Sequence, residues 1–572
     1  MTNKEIAKTL LEMSVLLDME EVPFKPRAYE KAALEIESLG EEVKDIYKKD
    51  GIKGLMEIPS VGQGIAEHIE SLLQKKTFAE YEKYKKKYPV DIAELTSVQG
   101  VGPKMIKTLW QKLKIKNLSD LEKVAKAGKI RKLEHFGEKS EQKILKGIEF
   151  LKKSGGRQIL GFILPEIRQF EKIIQGFPEV EKAVVAGSVR RKKETIGDID
   201  FLAISSKPDG VMDRFVALPQ VATVLAKGET KTSVKLKNGL DADLRVVPAE
   251  SFGAALNYFT GSKDHNIALR EIAIKKGLKL NEYGLFKGKK QIAGKTEEDL
   301  YEALGLKYIE PELREMTGEI EASREGKLPK LIGYGDLKGD LQVQTNWTDG
   351  ENSIEEMAKA AKELGMEYIL ITDHTRGLAM TGGADEKKLL EQMKKIDEIN
   401  KGGKFGHFKI LKGAEVNIKK DGSLDIADEV LKKLDIVGAA VHSHFNLPRA
   451  EQTKRLIRAI ENPHVDIIFH LSGRIINRRE AIELDIDEII KTAKKTGTIL
   501  EIDAFPDRLD IKDEYVRKCV EAGVKMSISS DAHSVSHFKV LEFGIAQARR
   551  GWAEKKDVIN AWPAEKMLKM LK

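Results

Sequence analysis

Residues 187–202 read GSVRRKKETIGDIDFL, and this stretch decides the fold of the middle of the chain. Asp198 and Asp200 stand two apart at the start of an apolar run, 199–204, that is typical of a buried strand. Residues i and i+2 of a strand point to the same side. Two adjacent carboxylates repel each other unless a cation lies between them, and Mg²⁺ accepts one or two carboxylates together with substrate phosphates. The stretch therefore predicts a site for divalent cations.

A third carboxylate is expected from the run DADLRVV at residues 241–247. We favour Asp243 and rank Asp241 second. Three carboxylates that hold two Mg²⁺ ions suit an in-line displacement at phosphorus. Gly187 and Ser188 leave room for phosphate oxygens to meet backbone N–H groups.

A plainer interpretation makes Asp198 and Asp200 solvated residues at a strand end, which is the usual meaning of an isolated Asp-x-Asp pair. Here a glycine, a serine and two arginines, Arg190 and Arg191, stand just upstream, and a second acidic strand follows downstream. This combination favours the cation site.

Gly-Ser, then Asp-x-Asp, then Asp-Leu-Arg resembles the nucleotidyltransferase pattern of family X DNA polymerases, the relatives of polymerase beta. The segment YFTGSKDHN at residues 258–266, followed by Arg270, is similar to the nucleotide-binding turn and helix of that family. The resemblance implies a DNA-directed DNA polymerase that fills short gaps in DNA repair. It also implies a role for each matching residue: Asp198 and Asp200 bind both Mg²⁺ ions; Asp243 binds Mg²⁺ and activates the primer 3′-hydroxyl; Gly187, Ser188, Arg191 and Gly197 contact the triphosphate; Tyr258, Phe259 and Gly261 line the sugar pocket; Asn266 reaches the base edge; Arg270 contacts the template side.

Composition sets broad limits on the chain. Its 572 residues suggest three or four domains, and 41% hydrophobic with 33% charged residues allows each domain a core. The net charge of +7 is compatible with binding a polyanion. A lone cysteine, Cys519, excludes an internal disulfide framework and is expected to be a buried, inert thiol. No apolar run is long enough to span a membrane and the N-terminus does not resemble a signal peptide, so a cytoplasmic location is expected.

The first 153 residues read as helices joined by glycine-bearing turns, and two turns repeat a pattern. One is IPSVGQGIA at residues 58–66 and the other is VQGVGPKMI at residues 98–106. Both resemble helix-hairpin-helix motifs, in which glycines such as Gly62, Gly64, Gly100 and Gly102 allow the turn to approach a DNA backbone. A plain turn between helices is the alternative.

In the polymerase beta group the first domain also removes a 5′-deoxyribose phosphate with a lysine that forms a Schiff base. His68 stands at that position, and Lys75 and Lys76 are off register. We therefore expect no lyase activity, although 5′-phosphate binding stays plausible.

Motif order predicts the domain organisation. We expect a helical DNA-binding domain at 1–85, a fingers domain at 86–153, a palm at 154–250, a thumb at 251–315, a linker at 316–335 and a C-terminal domain at 336–572. The predicted fold class is thus a multidomain combination of α+β and α/β parts.

The C-terminal domain alternates strand-like and helical runs, which suggests parallel strands that close into a seven-stranded barrel. The strand-like runs are 340–345, 368–372, 408–411, 436–441, 465–469, 498–502 and 525–529. Four of the 11 histidines fall at or near the ends of these runs, where the functional side chains of a barrel converge. Imidazoles and carboxylates together suit Zn²⁺ or Mn²⁺. Chance placement on the surface or in the core would be the better interpretation for any single histidine.

This domain resembles the polymerase and histidinol phosphatase (PHP) superfamily. The matching motifs are GDLQVQ at 339–344 with TDG at 348–350, ITDH at 371–374, GAEV at 413–416 and SDAH at 530–533. The resemblance implies a distorted (β/α)7 barrel that holds three metal ions and cleaves phosphoesters. By position the metal ligands are Asp349, His374, Glu415, His442, His470, Asp531 and His533, and Arg474 is placed to hold a phosphate.

One departure from the PHP pattern concerns the first motif, where His-x-His is usual. Here Gln342 and Gln344 stand in both places, and a glutamine oxygen is a poor ligand for Zn²⁺. One of the three metals should bind weakly or be a harder ion. The nuclease is then Mn²⁺-dependent, slow, or lost with the fold retained, and we favour an attenuated Mn²⁺-dependent 3′–5′ exonuclease or abasic-site endonuclease.

Two other functions compete with a gap-filling polymerase. The chain would be chiefly a PHP nuclease or phosphoesterase if the palm only positioned DNA, and a scaffold if neither site were active. Retention of the palm carboxylates beside the loss of two barrel histidines favours the polymerase. The expected partners are gapped or primer-template DNA and a deoxynucleoside triphosphate (dNTP), and the chain is expected to be a monomer without membrane association.

Overall fold

A computed structural model of the chain describes residues 1–39, 41–98, 100–134, 136–154, 157–378 and 381–571. Gln99, part of the second glycine turn, lies outside the described residues.

The N-terminal part is helical throughout its described residues, and it has two separate apolar cores. One core is built around α1 to α4 and the other around α6 to α9. The helices are α1 (Asn3–Met19), α2 (Lys25–Ser38), α3 (Val43–Met56), α4 (Gln63–Lys75), α5 (Ala79–Lys87), α6 (Ile92–Thr96), α7 (Pro103–Leu113), α8 (Leu118–Lys126) and α9 (Glu138–Ser154).

The palm is a mixed sheet covered by two helices. Its elements are β1 (Gln158–Ile159), α10 (Leu160–Gln175), β2 (Lys182–Val185), α11 (Gly187–Arg190), β3 (Thr195–Ile196), β4 (Asp198–Ile204), α12 (Pro208–Val216), β5 (Val221–Lys227), β6 (Lys231–Leu236) and β7 (Asp241–Val247). The main sheet has the order β2-β4-β7-β6-β5, in which only β4 and β7 are parallel neighbours. Because β4 and β7 run in the same direction, their acidic first residues lie at one edge.

The thumb follows as α13 (Phe252–Thr260), α14 (Lys263–Lys275), β8 (Lys279–Asn281), β9 (Gly284–Lys287), β10 (Lys290–Ala293) and α15 (Glu297–Ala303). The segment from 316 to 335, which we expected to be a linker, contains α16 (Glu319–Glu325). Ile320 and Ile332 are buried in it, and the N–H of Ile332 donates to the backbone oxygen of Ala553 at 3.0 Å. This segment is therefore packed against the thumb and the C-terminal domain.

The C-terminal domain is a nearly closed parallel barrel, as predicted. Its strands are β11 (Gly339–Val343), β12 (Tyr368–Ile371), β13 (Lys409–Asn417), β14 (Ile436–Ala440), β15 (Ile467–Ile468), β16 (Ile499–Asp503) and β17 (Met526–Ser529), paired in chain order. Val343 bridges Ala532, which brings the end of β17 back to β11. The helices around it are α17 (Ile354–Glu363), α18 (Glu386–Lys401), α19 (Asp428–Leu431), α20 (Arg449–Ile460), α21 (Ile486–Thr496), α22 (Asp513–Ala522), α23 (Leu541–Arg550) and α24 (Ala564–Leu568).

The barrel packs directly against the palm. Arg168 on α10 forms two hydrogen bonds, of 2.9 and 2.6 Å, with Glu542 on α23. A Cβ at Gly161 would lie 2.4 Å from Pro506 of the barrel, so only glycine permits this approach. Within the described residues, no helix is both long and apolar enough to span a bilayer.

Candidate functional site

The parallel register of β4 and β7 brings the palm carboxylates together. Asp200 pairs with Asp243 across the two strands, and Asp198 pairs with Asp241. Since residues two apart in a strand share a side, all four carboxylates project from the same side of the sheet. Each of the two β7 aspartates also has a lysine of β6 beside it: Lys231 lies 2.6 Å from Asp243 and Lys235 lies 2.6 Å from Asp241.

Asp200 occupies the most perturbed position of this cluster. Burial, followed by the charges of Asp198 and Asp243, raises the pKa of its carboxyl group to about 6. A carboxylate in such surroundings is unfavourable without a compensating cation. The residues therefore fit divalent metal ions. Asp243, not Asp241, is the β7 carboxylate that acts on Asp200.

A cleft of about 420 Å³ opens beside these carboxylates. Its lining consists of Arg157, Gly187, Ser188, Arg191, Asp198, Asp200, Tyr258, Phe259, Thr260, Gly261, Lys263, Asn266 and Arg270. The structure thus brings together most of the residues expected to contact a nucleotide. Among the described residues, Gly197 and Asp243 are not part of this lining.

Gly187 is required by the geometry of the cleft. Its φ is +60°, and a Cβ there would lie 2.3 Å from a carboxylate oxygen of Asp200. A side chain would displace the carboxylate, so a glycine is needed where α11 begins.

The cleft is also lined by two cationic residues, Arg157 and Lys263, that were not among the predicted site residues. Arg157 donates to Thr195 at 3.1 Å through its Nε and at 2.6 Å through Nη2 to the backbone oxygen. Lys263 begins α14. Arg157 lies far from the motif in sequence, so no spacing rule points to it, whereas Lys263 lies inside the segment 258–266 and could have been named.

On the thumb side of the cleft, the polar and aromatic side chains make short contacts with their neighbours. Asn266 donates to the backbone oxygen of Tyr258 at 2.7 Å, so its amide is engaged in this structure. The rings of Tyr258 and Phe259 pack edge to face, 5.1 Å apart, and Arg245 lies over Phe259 at 4.3 Å.

Both glycine turns of the N-terminal part lead into helices. Gly62 and Gly102 are the N-cap residues of α4 and α7, and neither helix receives a side-chain cap. Within the described parts of the chain, a Cβ at Gly62, Gly64 or Gly102 would meet no heavy atom within 4 Å, whereas Gly100, with φ +88°, faces Lys143. The first N–H groups of α4, and those that follow Pro103 in α7, are thus open to an incoming phosphate.

His68, the residue at the expected lyase position, is packed in the first core. Its Nδ1 lies 2.6 Å from the hydroxyl of Tyr29, and its ring stacks on Phe78 at 4.1 Å. Burial lowers the pKa of His68, so the ring is neutral near pH 7.

Glu415 is the centre of the barrel site. Its Oε1 lies 2.9 Å from Nε2 of His442 and 2.9 Å from Nε2 of His470, and Oε2 lies 3.4 Å from Nδ1 of His374. Although burial opposes it, the neighbouring histidines hold the pKa of Glu415 well below its usual range. Nδ1 of His442 donates a 2.7 Å hydrogen bond to Oδ1 of Asn417, which orients that ring.

A second group lies next to it. Asp349, His374 and His533 present ligand atoms within 4.8 Å of one another, and His374, Glu415 and His442 form another such group. Buried atoms on Asp349 and His374 have no hydrogen-bond partner among the described residues. The donor sets fit two divalent cations.

The glutamine pair occupies the place of the expected His-x-His ligands. Nε2 of Gln344 donates to Glu415 at 2.9 Å and to Asp531 at 3.1 Å, and Nε2 of Gln342 donates to Glu415 at 3.1 Å. The hydroxyl of Thr372, which lies 2.8 Å from Oε1 of Gln344, fixes that amide's orientation. Amide protons therefore point at the oxygens that a third cation would need, and this position does not fit a metal ion.

Two arginines of the barrel differ in their partners. Arg474 is buried and forms an ion pair with Glu194 of the palm, so the side chain expected to hold a phosphate is occupied by a carboxylate. Arg508, which the sequence analysis did not single out, lies 3.5 Å from Asp503 and 3.7 Å from Asp531.

Helix α2 of the N-terminal part contacts the barrel site. Arg27 lies 3.2 Å from the Asp349 carboxylate, and Lys31 donates to the Asp349 backbone oxygen at 2.6 Å. Glu35 accepts from Ser534 and Ser536 and lies 3.0 Å from His537. These three residues follow one another at intervals of four and so lie on one face of α2.

Three family models match the chain in this order: a helix-hairpin-helix domain at residues 1–78, the DNA polymerase beta thumb at 255–315 and the PHP domain at 340–505. The chain is also 36% identical over 566 residues to the DNA polymerase/3′-5′ exonuclease PolX of Bacillus subtilis (strain 168), and the match covers 98% of each chain. The chain belongs to the X family of DNA polymerases, in the branch that carries a PHP domain.

Other relatives match about a third of the X-family chain. A probable phosphatase of Thermoanaerobacter sp. (strain X514) is 35% identical over 192 residues, which is 32% of this chain and 73% of the phosphatase. A probable phosphatase of Acetivibrio thermocellus is 33% identical over 190 residues, with the same coverage. The family models and the B. subtilis match confirm the predicted family and fold class.

Proposed function

We propose that the chain is a DNA-directed DNA polymerase that fills short gaps during DNA repair, including base excision repair. The observation that carries this proposal is the convergence of Asp198, Asp200 and Asp243 at one edge of two parallel strands, beside a cleft lined by cations. Such a cluster suits two Mg²⁺ ions and a nucleoside triphosphate. The relative in B. subtilis, named a DNA polymerase, supports the same activity.

The palm residues divide the chemistry of nucleotidyl transfer. Asp198 and Asp200 would hold both metal ions, and Asp243 would also accept the proton of the primer 3′-hydroxyl. Bound Mg²⁺ would stabilise the charge that develops on the attacking oxygen and on the leaving pyrophosphate. Lys231, 2.6 Å from Asp243, shares the charge of that carboxylate.

The remaining pocket residues would place the nucleotide. The N–H groups at the start of α11 would receive phosphate oxygens, and Arg191 would pair with them bidentately. Asn266 would exchange its hydrogen bond with Tyr258 for one with the base. We assign Gly187, Ser188, Arg191 and Gly197 to the triphosphate, Tyr258, Phe259 and Gly261 to the sugar, and Asn266 and Arg270 to the nascent base pair.

For the barrel we propose an attenuated, Mn²⁺-dependent nuclease with 3′–5′ exonuclease or abasic-site endonuclease action. Asp349, His374, Glu415, His442, His470, Asp531 and His533 are the proposed ligands of Mn²⁺ or, alternatively, Zn²⁺. The hydrogen bonds from Gln342 and Gln344 to the carboxylates support a reduced metal complement. The name of the B. subtilis relative includes a 3′-5′ exonuclease.

The expected domain boundaries and surroundings are part of this proposal. We assign 1–85 and 86–153 to DNA binding through Gly62, Gly64, Gly100 and Gly102, 154–250 to the palm, 251–315 to the thumb, 316–335 to a connecting segment and 336–572 to the barrel. We propose that the chain acts as a cytoplasmic monomer on gapped or primer-template DNA.

Primer extension on a one-nucleotide gap tests both activities with one labelled substrate. Each metal ion is supplied in turn to the wild type, Asp198→Ala and Asp531→Ala. We expect Asp198→Ala to lower synthesis by several orders of magnitude while DNA binding stays nearly unchanged. In the Asp198→Ala background, Mn²⁺ should stimulate shortening of the primer, and adding Asp531→Ala should abolish it.

Exposed Asp209 of α12 provides a matched control, because Asp209→Ala removes a palm carboxylate away from the cleft. Measurable synthesis by Asp198→Ala would overturn the metal assignment in the palm. If no metal supports cleavage that depends on Asp531, the nuclease proposal is wrong and the polymerase proposal is unaffected.

A further inference from the structure

Arg191, the arginine assigned to the triphosphate, is held by two residues of the thumb and one residue of the barrel. Its Nε donates to Glu315 at 2.9 Å, and its Nη1 donates to the backbone oxygen of Thr260. Arg550, at the end of α23, donates to the backbone oxygen of Arg191 at 3.2 Å and lies 3.3 Å from the same Glu315 oxygen. Two ion pairs therefore link the nucleotide cleft to the barrel.

The network around Arg191 contains more positive than negative charge. Glu315 faces Arg191, Arg550 and Lys193, which lies 3.6 Å away. Although burial opposes it, Arg550 and Arg191 lower the pKa of Glu315, so the carboxylate is charged at neutral pH. With Asp513, the other partner of Arg550, the network has two negative charges against three positive ones, so Arg191 keeps charge available for a phosphate.

Arg550 is anchored on its other side within the barrel. Its Nη2 pairs with Asp513, the first residue of α22, and its side chain is only 4% exposed. A buried guanidinium with partners on both sides has little freedom to move. The barrel therefore fixes the position of the Arg191 backbone immediately after α11.

We propose that Arg550 and Glu315 are positioning residues for nucleotide binding, through which the PHP domain orients Arg191 toward the triphosphate. This inference rests on the proposed function, because it takes Arg191 as a triphosphate ligand. It extends that function by giving the C-terminal domain a part in dNTP affinity that does not depend on the barrel metal site.

Gap filling by the full-length chain tests the inference through the split between KM and kcat. Removing Arg550 takes away one of the three cations that share Glu315, so Glu315 holds Arg191 more firmly, and the Arg191 backbone loses a donor. We expect Arg550→Met to raise KM for dNTP roughly tenfold, the size expected for one charge-assisted hydrogen bond, with a smaller change in kcat. Arg550→Lys, which keeps a charge beside Glu315, should fall between Arg550→Met and the wild type.

Recovery by a second change distinguishes positioning from general damage. Glu315→Gln keeps an oxygen that can accept from Arg191 but removes the negative charge that would hold it too firmly. In the Arg550→Met background it should bring KM back toward the wild-type value, which a merely structural defect would not do. Arg168→Met is the matched control, because it breaks the palm–barrel pair with Glu542 without touching Arg191, and its KM should not change.

An unchanged KM in both Arg550→Met and Arg550→Lys would overturn the inference while leaving the polymerase proposal intact. Equal KM increases in Arg550→Met and Arg168→Met would also overturn it, because any loosening of the interface would then suffice. Failure of the polymerase proposal looks different: the wild type would not extend the primer, or Asp198→Ala would extend it as well.

Discussion

Asp200 makes metal binding in the palm dependent on pH. Its carboxyl group has a pKa of about 6 in the folded chain, raised by burial and by Asp198 and Asp243, against about 3.9 in an unfolded chain. The folded state thus binds the proton more tightly, so between about pH 4 and pH 6 the free energy of unfolding falls as pH rises. Above pH 6 the charge is uncompensated until a cation binds.

Mg²⁺ should accordingly stabilise the protein more at pH 8 than at pH 5, where a proton competes for Asp200. The rise in melting temperature on adding Mg²⁺, followed by differential scanning fluorimetry at both pH values, measures this. In Asp200→Asn the pH-dependent part of the rise should disappear. Equal stabilisation of the wild type at pH 5 and pH 8 would contradict the expectation.

We infer that Gln342 and Gln344 limit the number of metal ions that the barrel can hold. Their amide protons point at Glu415 and Asp531, and both side chains are fully buried. A neutral imidazole offers a lone pair in place of those protons, so histidines at these positions would turn a hydrogen-bonded corner into a ligand set.

We expect the double variant Gln342→His, Gln344→His to bind one more Mn²⁺ or Zn²⁺ per chain than the wild type. Elemental analysis after gel filtration gives the count without any activity measurement. Gln63→His, a change at an exposed residue of α4, is the control and should leave the count unchanged. An equal metal content in the wild type and the double variant would show that the glutamines do not exclude an ion.

At the scale of an element, α2 links the DNA-binding end of the chain to the barrel. Arg27 and Lys31 contact Asp349, a proposed metal ligand, and Glu35 is buried against the 3-10 helix Val535–Val540 that follows the last barrel motif. Because Arg27 and a metal ion would use the same carboxylate, docking of α2 and metal binding by Asp349 oppose each other.

Replacing both cations, in Arg27→Ala, Lys31→Ala, should therefore strengthen Mn²⁺ binding in the barrel roughly two- to fivefold, the size expected for a partly exposed ion pair. Titration of free Mn²⁺ by electron paramagnetic resonance, in the Asp198→Ala background to weaken the palm site, measures the change. Glu30→Ala alters an exposed residue of the same helix and is the control. Weaker binding in the double variant would mean that α2 supports the site and does not compete with it.

At the scale of the whole molecule, the periodicity of the sequence predicts which side chains meet within a single sheet. The acidic residues of β4 and β7 follow from a two-residue repeat, and the barrel histidines follow from alternating strands and helices. Both sets depend on local patterns, so the structure places them near where the sequence suggests. Strand ends differ by a few residues, as in β13, which continues through Glu415 to Asn417.

Contacts between segments that are far apart in the sequence have no periodic pattern from which they could be predicted. Arg191 and Arg550 are 359 positions apart, and Arg27 and Asp349 are 322 apart. Whether an arginine meets a phosphate or a carboxylate depends on how domains pack, which is why Arg474, expected at a phosphate, is paired with Glu194. The ion pairs that join the palm, thumb and barrel could be found only from the folded chain.

Cys519, the single cysteine, is fully buried, and burial raises the pKa of its thiol to about 12. The thiolate is the nucleophile that attacks thiol reagents, so Cys519 does not react with maleimide dyes or spin labels near neutral pH. Pairs of introduced cysteines can therefore be labelled without replacing Cys519. One fluorophore on α5 and another on α21 would report directly whether the helical end swings away from the barrel when gapped DNA is engaged.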